Sequence, residues 1–97
     1  MSQDGNDKMK KILQKIVDYL IKQKKYSSFS KVEIFFVFGS KYKTAMCDWT
    51  FGMRIDTDLT PFHRTDLVRS FQTDIRKVTD RIVEQRVCCT DVLFSEP

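Results

Sequence analysis

With 97 residues, 41% of them hydrophobic and 31% charged, the chain can bury one core and is too short for two. A net charge of +4 with three glycines and two prolines excludes collagen-like, low-complexity and disordered polymers. No apolar run approaches the ~18 residues of a membrane span, and the polar, acidic start is unlike a secretory signal, so a soluble intracellular protein with no membrane partner is expected.

The pattern predicts a single domain over 1–97, with a flexible lead-in at 1–7 and a tail at 95–97. Met9, Ile12, Leu13, Ile16, Val17, Leu20 and Ile21 recur at helical offsets, which predicts a first helix over about 8–24 capped by Asn6 or Asp7. A short linker, 26–30, follows. Residues 31–38 alternate as a strand that is apolar on both faces, the mark of a central strand or of one whose open side meets something. Gly39 to Lys43 form a short polar turn, so the next strand should fold back as a hairpin. That strand, 45–55, has the clearest pattern in the chain. Its odd positions (Ala45, Cys47, Trp49, Phe51, Met53, Ile55) are all apolar, and Gly52 suggests a bend or bulge. Thr60 and Pro61 read as the cap and first residue of a second helix, whose stripe is Leu67, Val68, Phe71, Ile75, Val78, Ile82 and Val83. Residues 87–94 form a third strand, with Cys88, Thr90, Val92 and Phe94 on one side and Val87, Cys89, Asp91 and Leu93 on the other.

The expected fold is therefore an α+β two-layer sandwich in the order α-β-β-α-β, with two helices on one face of a three-stranded sheet. A strand–helix–strand crossover makes the last two strands parallel, and the apolar first strand asks for the middle, which gives the strand order 2-1-3. The uncovered sheet face would then show Phe35, Val37, Val87, Cys89 and Leu93. That patch would suit a protein partner or a homodimer. Cys47, Cys88 and Cys89, odd in number with two adjacent, are expected to be reduced and buried.

Little in the chain points to catalysis. His63 has no cysteine or second histidine near it in sequence, so no metal or other cofactor is expected. Asp56 and Asp58, two residues apart, have the spacing to share a divalent metal, but acids so placed more often end a strand and lead into a helix start. Val37-Phe38-Gly39-Ser40, with Asp48 nine residues beyond the glycine, resembles the opening of the minimal nucleotidyltransferases. In that family the Gly-Ser pair holds phosphates and two acids at i and i+2 bind magnesium. Here Thr50 stands in the second acid's place, so the resemblance implies at most a degenerate member.

Charge distribution favours a different function. Residues 1–43 carry ten lysines against four acids, whereas residues 44–97 carry seven basic residues against nine acids. Lys8, Lys11, Lys15 and Lys22 fall on one flank of the first helix, and the hairpin tip adds Lys41, Tyr42 and Lys43. These positions suit phosphate contacts, with Tyr42 stacking on a base. The expected function is thus a small non-catalytic nucleic-acid-binding module, RNA ahead of DNA because no helix looks like a base reader. The alternative is an assembly subunit docking through the open sheet face.

Overall fold

The computed structural model describes residues 2–36 and 47–95, with side chains in the first helix described from residue 7 onward. Six elements follow in order: α1 (Ser2–Ile21), a 3₁₀ turn (Lys24–Tyr26), β1 (Phe29–Phe35), β2 (Trp49–Thr57), α2 (Pro61–Ile82) and β3 (Val87–Phe94). Two helices and a three-stranded mixed sheet give the expected α+β class. The predicted lead-in is helical from Ser2, so Asn6 and Asp7 lie inside α1 rather than capping it.

Each element buries the face its spacing marks out. Met9, Leu13, Ile16, Val17 and Leu20 of α1 are buried, as are Val68, Phe71 and Ile75 of α2. The alternation predicted for 45–55 holds in β2, where Phe51, Met53 and Ile55 are buried while Arg54 is exposed. Ala45 and Met46 lie outside the described residues. Thr60 and Pro61 open α2 as expected, although the Thr60 hydroxyl lies 2.8 Å from His63 Nδ1 and does not cap the backbone. Ile82, placed in the α2 stripe by spacing, is 60% exposed at the helix end.

Strand order differs from expectation. It is β1-β2-β3, with β1 antiparallel and β3 parallel to β2, so β2 is central and β1 is an edge. The apolar residues that argued for a central β1 are used otherwise. Phe35 lies across β2 so closely that a Cβ on Gly52 would meet its ring at 2.4 Å, and Phe36 packs beside Trp49. Gly52 is therefore a glycine because a neighbouring ring takes the space of its side chain. The outer edge of β1 is already occupied. Gln14 of α1 donates from Nε2 to Val32 O (2.8 Å) and accepts at Oε1 from Ile34 N (3.1 Å), as a neighbouring strand's peptide group would. At the other end of β2, the amides of Asp48 and Trp49 both bond to Arg86 O, which starts β3 beside β2.

Two bulges re-aim side chains. Ser30 is extra in β1, which brings Phe29 and Val32 to the same covered face. Thr90 is extra in β3, between the pairs Phe51–Cys89 and Gly52–Asp91. As a result Val87 and Cys89 before it, and Val92 and Phe94 after it, all pack on the helix side.

Tyr26, read as part of a linker, is fully buried and forms an aromatic cluster with Phe29 and Phe71. Its hydroxyl bonds to Ser70 Oγ (3.1 Å) and donates to the Asp74 carboxylate, which also pairs with Lys25 at 3.7 Å. Burial first, and then the bond to Asp74, push the Tyr26 phenol up from 10.0 to about 12. A phenol held protonated in the fold but released near pH 10 when unfolded gives stability that is intact below pH 10. That contribution is lost as the pH climbs from 10 to about 12. Chemical denaturation from pH 9 to 12 should show this loss in the parent and a shallower one in Tyr26→Phe. Parallel curves would rule it out.

The three cysteines are not all reduced as expected. Cys47 and Cys88 are joined by a disulfide, Cα–Cα 5.9 Å, which ties the start of β2 to the start of β3. Cys89 is free.

Candidate nucleic-acid interface

At 3.6 residues per turn, Lys8, Lys11, Lys15 and Lys22 lie within about 60° of one another on the α1 wheel, roughly opposite the buried stripe. Lys22 stands one residue past the helix end, and the row spans about 21 Å at 1.5 Å per residue. All four are exposed, and none pairs with a carboxylate among the described residues. Asp18, the acid that interrupts this flank, accepts a bond from Gln14 Nε2 at 3.0 Å. Lys10, Lys24 and Lys31 are also exposed, and Lys25 is held at Asp74.

Spacing alone had not singled out Tyr19. It sits four residues after Lys15 and three before Lys22, is 63% exposed, and so stands inside the lysine row. An aromatic ring left on the polar face of an amphipathic helix, outside the apolar offsets, was the available signal. Among cations it forms the kind of platform on which a base stacks. Lys41, Tyr42 and Lys43 lie outside the described residues.

The open face of the sheet is not the apolar patch expected. Cross-strand pairing sets Lys31 against Asp56, and Glu33 against Arg54 with Leu93 beyond it. Phe35 is half-buried over Gly52, and Leu93, 48% exposed, is the other large apolar residue there among the described residues. Val87 and Cys89 do not belong to this face. Val87 is a core residue at 3% exposure, and Cys89 packs under α2, where burial pushes its thiol up while a bond from Gln72 offsets part of that rise. Val37 lies outside the described residues.

Asp48, the acid of the nucleotidyltransferase resemblance, has a backbone duty: its Oδ2 accepts from Arg86 N at 3.0 Å. Gly39 and Ser40 are outside the described residues. Among the described residues no three His, Cys, Asp or Glu side chains are grouped to hold a metal, and no helix is long and apolar enough to cross a membrane. Compared with protein-family models, curated protein sequences and solved structures, the chain matches none.

Proposed function

We propose that this chain is a nucleic-acid-binding module, RNA before DNA, that contacts phosphates through the exposed face of α1. One observation carries the reading. Lys8, Lys11, Lys15 and Lys22 form a row free of carboxylate partners among the described residues, with an exposed Tyr19 within it. Three ammonium groups on α1 and a fourth one residue past its end release counterions when they meet a phosphate backbone, and Tyr19 stacks on a base exposed between them. Lys41 and Lys43 add phosphate contacts and Tyr42 a stacking ring in this reading. The assembly alternative, a homodimer or partner docked on the open sheet face, has Phe35 and Leu93 to offer there among the described residues, beside charged residues set opposite one another across the strands.

Reversing two charges with Lys11→Glu plus Lys15→Glu should weaken binding to a single-stranded RNA oligonucleotide by about 100-fold at low salt. Both side chains are exposed, so circular dichroism and the melting temperature should stay unchanged. Tyr19→Ala should cost about 1–3 kcal/mol of binding in the same assay. Equal affinity of the double variant and the parent would reject the interface, and a dimer in sedimentation dissolved by Phe35→Asp would favour the alternative.

An RNA ligand implies an intracellular site of action, where glutathione keeps most thiols reduced. The Cys47–Cys88 bond persists there in this reading, so the denatured, unreduced protein from its native source should show one reactive thiol, Cys89, on titration.

A further inference from the structure

The two edges of the sheet are treated differently. On β1, the Gln14 carboxamide engages Val32 O and Ile34 N, and the Ser30 bulge breaks the ladder. On β3, the outer edge has no neighbouring strand and no comparable side chain among the described residues. The Cys89 thiol contact to Asp91 O, at 3.5 Å, lies within the strand itself. An unprotected edge is a template for another strand.

Beside this edge, between α2 and β3, lies a cleft of about 540 Å³ whose floor is Val68, Val92 and Phe94. It shares Arg69 and Gln72 with a second depression of about 230 Å³ that continues along α2 to Cys89. The rim is basic. Arg64 lies over the Phe94 ring at 4.2 Å, and Arg69 and Arg76 are exposed along the same side of α2, against one acid on the strand, Asp91. From Arg64 to Arg76 the helix rises about 18 Å, the length of five or six extended residues.

We propose that this cleft binds an extended acidic peptide, which adds to β3 as a fourth strand. Main-chain bonds to the free edge would supply affinity, and alternate side chains would divide between the apolar floor and the arginine rim. The positive rim selects acidic side chains over basic ones. This surface is formed by α2 and β3, apart from the lysine row on α1, so it stands independently of the nucleic-acid reading.

The test uses the full chain and a fluorescein-labelled octapeptide of alternating glutamate and valine, followed by anisotropy. Saturable binding is expected, with slowed hydrogen exchange at the β3 amides that have no partner inside the sheet. A lysine–valine octapeptide should bind at least about tenfold more weakly, as should the glutamate peptide to Arg69→Glu plus Arg76→Glu, whose exposed positions leave the fold intact. Absence of binding would overturn the proposal. So would equal affinity for the two peptides, displacement by single-stranded RNA, or protection of β3 by a second copy in a dimer.

Discussion

Phe71→Ala should destabilise the fold by about 3–5 kcal/mol, enough to leave a typical small domain marginal. The Phe71 ring is fully buried, edge-on to Tyr26 at 4.8 Å and to Phe29 at 5.4 Å. It therefore joins α2 to the turn after α1 and to the first residue of β1. Truncation removes the apolar surface and both edge-to-face contacts, and leaves a cavity bounded by two other rings that cannot collapse into it without moving β1. For a domain of this size the melting temperature should fall by roughly 20 °C. Phe62→Ala is the matched control. The same chemical change at a ring 87% exposed should stay within about 0.5 kcal/mol. Similar costs at the two sites would mean that the cluster is not where the core is held.

Breaking the Cys47–Cys88 bond should be the other large loss. The bond closes a loop with a sequence separation of 41, for which chain entropy alone suggests roughly 4 kcal/mol. Reduction, or Cys47→Ser plus Cys88→Ser, should lower stability by about 2–4 kcal/mol in urea titrations, while the pairing of β2 with β3 persists through its own ladder. Denatured but unreduced protein should show one reactive thiol, Cys89, and three after reduction. Three thiols without reductant would remove the cross-link.

Periodicity made much of this architecture legible. The α1 stripe, the alternation in β2, the Thr60–Pro61 helix start and the parallel crossover all follow from local spacing. Failures occurred where one residue changes the phase or a distant residue takes up a surface. A period of two cannot show that Thr90 is inserted into β3, so Val87 and Cys89 were assigned to the wrong face. That apolar residues occupy both parities of 87–94 was the trace of the bulge. The double-faced apolar pattern of β1 read as a central strand, because nothing local reveals that Phe35 covers Gly52 or that Gln14 completes the β1 edge. Likewise, Cys47 and Cys88 come together only once the crossover has set the start of β3 beside that of β2. At the proposed interface the lysine row is readable from the helical wheel, and the sequence marks Tyr19 by its place outside the apolar offsets, which its exposure then makes a member of the row.

The most direct measurement is the affinity for a single-stranded RNA oligonucleotide between 50 and 200 mM salt, plotted as log K against log salt. Four phosphate contacts predict a slope of about −3, reduced by about half or more in Lys11→Glu plus Lys15→Glu. No retention at the lowest salt, or the same slope in both proteins, would contradict a phosphate-binding role for the lysine face of α1.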